Sequence, residues 1–244
     1  MFIKIKKLFF IIKCRSFFLL KAIFYGSAAS IEHIDTLSDL DLDFIVDIGA
    51  NKVQFALLCR YLYPSSRIIS FEPLPGPGKV YEKIFSDDRL VKLHQMAIGP
   101  DSSKANFHVS NRADSSSLLQ ISEMQSVTFK GTHEVSTCMV NVEKLSNVIS
   151  PYQIASKSLL KLDVQGYEYE ALIGCKDNIK LFKWIYCECS FVELYVGQKL
   201  AYEVIDLLSE SGFRIFSVSN LQHNKSGIPI QADFLFLNSY ATVG

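Results

Sequence analysis

Much of the first reading comes from what the chain lacks. It has no net charge, because 25 basic and 25 acidic residues cancel. The cancellation is uneven. Residues 1–30 hold six basic groups and no acid, so 19 basic and 25 acidic groups fall on the remaining 214 residues, a net −6. No basic stripe crosses that acidic body, which argues against nucleic acid as a partner. No C-x-x-C pair occurs among the six cysteines. Most of them sit inside apolar runs and read as reduced, buried thiols of a cytoplasmic protein. Cys187 and Cys189 share one face of an expected strand, with no further ligand spaced to complete a metal site. No internal repeat and no low-complexity tract is visible.

A long uninterrupted apolar run is also missing. In residues 2–24, Lys13, Arg15 and Lys21 break the apolar stretch too often for a spanning helix, which needs ~20 mostly apolar residues. The same charges make a signal peptide a poor fit. Ile5, Leu8, Phe9, Ile12, Ser16, Leu19 and Ile23 fall on one wide helical face, with the basic groups around the rest. A basic amphipathic helix lying on the inner face of an anionic membrane fits this pattern. A helix that docks on the body, or on a second copy in a homo-oligomer, fits it too. The chain therefore divides into a basic amphipathic segment, 1–30, and one domain of ordinary size, 31–244.

What is present is alternation. Phe44 to Ile48 reads as a buried strand, Gly49 as a sharp turn, and Gln54 onward as a helix. Arg67 to Glu72 is a second strand. Pro73 to Gly78 cannot continue it, with three prolines and two glycines in six residues. A helix over 81–85 and a strand over 91–96 follow. About residues 100–150 the pattern changes to short alternating runs, 105–109 and 135–142, around a serine-rich loop, 114–117. This predicts a small β insertion. Strands over 158–164 and 184–189 alternate with helices, and two final strands, 213–218 and 234–237, should pair antiparallel. Residues 31–43 read as a short helix and linker, with Asp35-Thr36 as its start. The class is α/β: a doubly wound, mostly parallel sheet with an antiparallel terminal strand.

Asp47, Glu72, Asp163 and Glu188 stand at the carboxyl ends of expected strands, the edge where such sheets bind ligands. Glu72 lies about 20 residues past the Gly49 turn, where an acid accepts hydrogen bonds from ribose hydroxyls. The turn lacks the G-x-G-x-x-G that a pyrophosphate needs, since only Gly49 is present. That disfavours an NAD-dependent oxidoreductase and favours an adenosine ligand without phosphate, such as S-adenosylmethionine.

Val46-Asp-Ile-Gly-Ala-Asn-Lys-Val-Gln-Phe55, Ser70-Phe-Glu-Pro73, Ala97-Ile-Gly99, Ser115-Ser-Ser-Leu118, Leu160 to Glu168, and Glu188-Cys-Ser-Phe191 with Tyr195 occur in order over about residues 40–220. Together they resemble the FkbM family of S-adenosylmethionine-dependent methyltransferases. The resemblance implies a Rossmann-like class I methyltransferase fold and O-methylation of a hydroxyl, on a sugar or a polyketide-like product. It implies that Asp47, Gly49 and Asn51 line the methionine end of the cofactor, Glu72 its ribose, and Met96 and Ala97 its adenine. Asp163 is then the best-placed base for the hydroxyl, and Glu188 orients the hydroxyl or shares the role. The 115–117 loop reads as a lid, with Ser116, Ser117 and Tyr195 on the substrate. A metal would need two or three converging acids, and Glu168 sits on a helix turn, so none is expected. One departure stands out. The family has glycine where this chain has Val53, which either crowds the cofactor or faces away from it. The rival reading is a catalytically silent binding protein whose cofactor site Val53 closes.

Overall fold

The computed structural model describes residues 17–240. The expected amphipathic segment 2–24 therefore lies mostly outside the described residues. Its last part is helix α1 (Phe17–Phe24).

Strand β1 (Phe44–Ile48) is buried at all five positions, as a strand covered on both faces must be. It lies between two parallel partners, β2 (Arg67–Phe71) and β7 (Ser158–Leu162). Next to β2 runs β3 (Val91–His94), and next to β7 runs β8 (Trp184–Ser190), both parallel. Then the direction reverses. β10 (Pro229–Asn238) is antiparallel to β8, and β9 (Phe213–His223) is antiparallel to β10. The order is β3-β2-β1-β7-β8-β10-β9, the doubly wound sheet with a reversed end that the alternation predicts.

The strands' period of two divides their apolar side chains between two layers. Val46, Ile48, Leu160 and Leu162 face α7 (Glu168–Gly174) and α8 (Ala201–Glu210), which supply Ala171, Leu172, Val204 and Leu208. Ile45, Ile68 and Leu159 face α3 (Gln54–Leu62) and α4 (Pro75–Ile84), with Phe55, Leu58 and Tyr81. The insertion is a hairpin of β5 (Ser103–Ser110) and β6 (Glu134–Glu143), joined by β4 (Ala97–Ile98) alongside β6. The short helix α5 (Glu123–Thr128) lies in the connection between its arms, and α6 (Leu145–Val148) follows β6.

Two expectations change. The run 73–78 is not all loop: α4 begins at Pro75. First-turn N–H groups have no intrahelical partner, so Pro75 and Pro77 cost little there. The segment before β1 becomes helical earlier than Asp35. A 3-10 turn, Ile31–His33, runs directly into α2 (Ile34–Leu37).

Val53 stands at φ +106° and ψ −4°. It is fully buried in the layer that holds Phe55, Ala56 and Leu57. The side chain therefore faces the core and not the ligand edge. The backbone carries the difference from glycine, since a β-branched residue at such φ is strained by about 1–3 kcal/mol. Val53→Gly is expected to cost under about 1 kcal/mol in urea unfolding, because strain relief offsets lost burial. Val46→Gly, at an ordinary strand position, is expected to cost about 3 kcal/mol or more. Equal losses would show that the backbone at Val53 is relaxed.

Candidate active site

The site begins at the β1 turn. Gly49 adopts φ +83°, and a Cβ built there would meet the Asp163 carbonyl oxygen at 1.9 Å. Only glycine permits both the angle and the approach. The amides of Gly49 and Ala50 both donate to the Phe71 carbonyl at 3.0 Å, and the Asp163 amide donates to Ile48 O at 3.2 Å. The ends of β1, β2 and β7 are thus fastened to one another. Lys161, buried on β7, adds a side-chain fastening. Its Nζ donates to Gly49 O at 3.0 Å and lies 2.9 Å from Asp47 Oδ1.

These strand ends border a cavity of about 1030 Å³. One half is walled by Gly49, Asn51, Gln54, Glu72, Met96 and Ala97. Glu72 accepts from the backbone amides of Asn51 at 2.9 Å and Leu74 at 2.8 Å. Burial pushes its carboxyl up to about 7 in spite of those bonds. Asn51 Oδ1 and Gln54 Oε1 are buried acceptors without a partner among the described residues. The other half contains Asp163, Gln165, Glu188 and Gln231. Gln165 Nε2 donates to Asp163 Oδ1 at 2.7 Å and to Glu188 Oε2 at 3.4 Å, and Gln231 Nε2 donates to Glu188 Oε1 at 2.6 Å. Burial, then the charges of Asp163 and Asp233, hold the Glu188 carboxyl well above its ordinary range.

Three expected wall residues stand behind the wall. Asp47 is wholly buried, because its place inside β1 turns it toward Lys161 and the sheet. Burial raises its carboxyl while Lys161 opposes the rise. Ser117 is wholly buried, its Oγ accepting from the Leu119 amide at 3.0 Å and donating weakly to Val164 O at 3.5 Å. Tyr195 is 2% exposed, its hydroxyl within hydrogen-bond distance of two acceptors, Gln165 Oε1 at 2.9 Å and Ser115 O at 3.1 Å, with one proton to donate. It braces the 115–117 loop and Gln165 without reaching the cavity. Ser116 does line the cavity. Glu168 caps its own loop, accepting from the Val164 and Gly166 amides at 2.9 and 3.1 Å. His94 stacks on Phe71 with centroids 5.3 Å apart, in a structural role.

Sequence reasoning missed Lys161, Gln165, Gln231, His33 and Asp233. A lysine inside the apolar run Leu159 to Leu162 was a legible signal, since a buried ammonium needs an acid partner. His33 and Asp233 offered none, because they meet across 200 residues.

Seven acids line the cavity against two fixed cations, Arg112 and Lys161, among the described residues. That balance suits a cationic ligand. A sulfonium with an ammonium group fits it, and the free acceptors of Asn51 and Gln54 suit donors on such a ligand. No group of three His, Cys, Asp or Glu able to hold a metal occurs among the described residues.

The reversed doubly wound sheet with a cavity at its carboxyl edge is Rossmann-like, and the relatives identify a class I methyltransferase whose methyl donor is S-adenosylmethionine. The chain belongs to the FkbM methyltransferase family: the family described as "Methyltransferase FkbM domain" matches residues 47–215. It is 32% identical over 176 residues to the 2-O-methyltransferase NoeI of Sinorhizobium fredii, covering 67% of this chain and 70% of that one. It is 27% identical to the 31-O-demethyl-FK506 methyltransferase FkbM of Streptomyces tacrolimicus, covering 71% and 73%. Among solved structures, Aeropyrum pernix fibrillarin, in complex with natively bound S-adenosyl-L-methionine, superposes with a TM-score of 0.49 at 13% identity, covering 90% and 74%.

Lys161→Met is expected to cost about 3–5 kcal/mol in urea unfolding, because it strands a buried carboxylate. Adding Asp47→Asn should recover a large part of that loss. If the double variant is as unstable as the sum of the singles, the pair is not coupled.

Proposed function

We propose that the protein transfers a methyl group to a hydroxyl oxygen of a sugar, in a glycan or glycolipid precursor. The observation that carries the reading is the lining of the acceptor half. Asp163, Gln165, Glu188, Asn220, Gln222 and Gln231 present carboxylate and amide groups there. Such groups pair with the several hydroxyls of a polyol, whereas an apolar acceptor would leave them unpaired. The names of two relatives, a 2-O-methyltransferase and a 31-O-demethyl-FK506 methyltransferase, support oxygen as the methylated atom. The silent-protein alternative rested on Val53 filling the cofactor site, and that side chain lies in the core.

S-adenosylmethionine supplies an electrophilic methyl group when bound. Glu72 would accept from its ribose hydroxyls, and Asn51 and Gln54 from its ammonium group. Asp163 and Glu188, fixed by Gln165 and Gln231, orient the attacking hydroxyl, and positioning of this kind supplies much of the rate.

Calorimetry with S-adenosylmethionine tests the cofactor half. Accepting from ribose favours an ionised Glu72, and that carboxyl sits at about 7. Affinity should therefore rise as pH climbs from about 6 to 8, by less than tenfold per unit, and flatten above. Glu72→Gln should bind about 10–100-fold more weakly with no such trend. Affinity that falls with pH, or no binding at all, would sink the reading. Labelled-methyl transfer to a panel of methyl glycosides and cell-envelope sugars tests the acceptor half, and transfer only to non-sugar alcohols would overturn it.

We place the enzyme in the cytoplasm, at the inner membrane face. Among the described residues no helix is long and apolar enough to cross a membrane. Helix α1 nonetheless exposes Phe24 at 82% and Ile23 at 42%, in a segment with basic residues. The full chain should float with anionic liposomes, and a chain starting at Ser30 should not. Equal partitioning would refute membrane contact.

A further inference from the structure

At the end of the acceptor half lies a cluster that the expected site did not include. His33, from the 3-10 turn, lines the cavity with 18% of its side chain exposed. Its Nδ1 lies 2.8 Å from the Tyr186 hydroxyl and 3.2 Å from Asp233 Oδ2. The Tyr186 hydroxyl donates to that same Asp233 oxygen at 3.0 Å, and Asn220 Nδ2 donates to it at 2.7 Å. Tyr186 has one hydroxyl proton, and Asp233 takes it. Both oxygens near Nδ1 are then acceptors, so Nδ1 carries the imidazole proton and Nε2 its lone pair. Asn220 Nδ2, at 3.3 Å from Nδ1, is the neighbour that suits the opposite tautomer. Its shorter bond goes to Asp233. Nε2 has no hydrogen-bond partner among the described residues.

The transferred methyl displaces a proton, and that proton needs an acceptor. Glu188 accepts from both Gln165 and Gln231, and Asp163 accepts from Gln165 at Oδ1 alone. Carboxylates are in general weaker bases than imidazole for a hydroxyl proton. Glu188 is further disfavoured as an anion by burial and its acidic neighbours. A neutral imidazole backed by a carboxylate has no such handicap, because Asp233 stabilises the imidazolium that forms. Asp233 is held below its ordinary range: burial opposes this, and the bonds from His33, Asn220 and Tyr186 overcome it.

We propose that His33 is the general base for the acceptor hydroxyl, with Asp233 as the residue that positions it. This rests on the O-methylation reading above. The acceptor oxygen bonds to the methyl carbon as the carbon–sulfur bond breaks, and sulfur keeps that electron pair. The hydroxyl proton passes to Nε2, and the resulting imidazolium later returns it to water. The titratable groups around the ring are Glu32 and Asp35 on its own segment, Tyr186 on β8 and Asp233 on β10. α3 and β9 bring Phe55 and Asn220, which carry no charge.

The test has a readout that needs no acceptor. Nitrogen-15 spectra of the five histidines, with His33 assigned by its loss in His33→Gln, report the tautomer in the intact protein. The expected form is the Nδ1–H tautomer, and in Asp233→Ala, where the Tyr186 proton is free to turn to Nδ1, the Nε2–H tautomer should appear. An Nε2–H tautomer in the wild type, or a tautomer unmoved by Asp233→Ala, overturns the proposal. With a sugar that accepts methyl from the wild type, His33→Gln should lower kcat at least ~100-fold. It should also abolish the acidic limb of the pH profile and keep S-adenosylmethionine affinity within about threefold. His33→Gln turnover within about threefold of wild type, with the limb intact, also overturns it. If the wild type methylates no sugar, the sugar reading fails, and the tautomer still decides whether Nε2 is free to take a proton.

Discussion

The site depends on one close approach, between the Gly49 backbone and the Asp163 carbonyl. At this point two neighbouring parallel strands end, and the chain must turn twice in a space with no room for a Cβ. Parallel strands leave their carboxyl-end loops without ladder partners. Here the loops of β1, β2 and β7 satisfy one another through the Phe71 and Ile48 carbonyls. Lys161 is the side-chain counterpart. A buried ammonium is costly alone, but between a carboxylate and a carbonyl it fixes the turn and neutralises Asp47 together. Cofactor and acceptor groups both project from this junction. A change in the junction therefore reaches both halves of the cavity.

The fold was legible because its signals are local. Period-two runs, Gly49, and acids at strand ends all lie within ten or so residues of what they specify. That Gly49, Asn51, Glu72, Met96 and Ala97 share one cavity wall was legible for the same reason, since they come from successive βα units. Errors arose where a local signal had two structural solutions. Proline and glycine at 73–78 announce a loop or the first turn of a helix, and the chain uses both. An acid near a strand end points to the ligand or to the sheet according to one step of the pleat. Glu72 and Asp47 took opposite outcomes. Tyr195 and Ser117 were assigned by residue type to a substrate, yet they brace the loop that Ser116 presents.

The acceptor half is a different kind of object. His33, Asp163, Glu188, Asn220 and Asp233 come from the segment before the sheet, two central strand ends and the reversed hairpin. No spacing rule connects them. Their meeting follows only from the strand order, which brings β10 beside β8 and lays the 31–33 turn against β9. The resemblance that identifies the family thus carries over the cofactor half. The cavity-lining groups His33, Asn220 and Asp233 lie beyond the matched residues.

The charge balance of the cavity ties these halves together. Carboxyl groups at Glu72 and Glu188 are held above their ordinary range by burial before any neighbour acts. Lys161 is spent on Asp47 behind the wall and Arg112 on Asp114, which leaves the cavity's balance acidic. A cationic sulfonium compound completes that balance, and its neutral thioether product does so less well. The acidic wall therefore discriminates between the two sides of the reaction by charge, apart from any contact that recognises adenosine. A phosphorylated acceptor would meet the same wall as repulsion, whereas a neutral polyol would not. The field that favours the donor thereby restricts the acceptor.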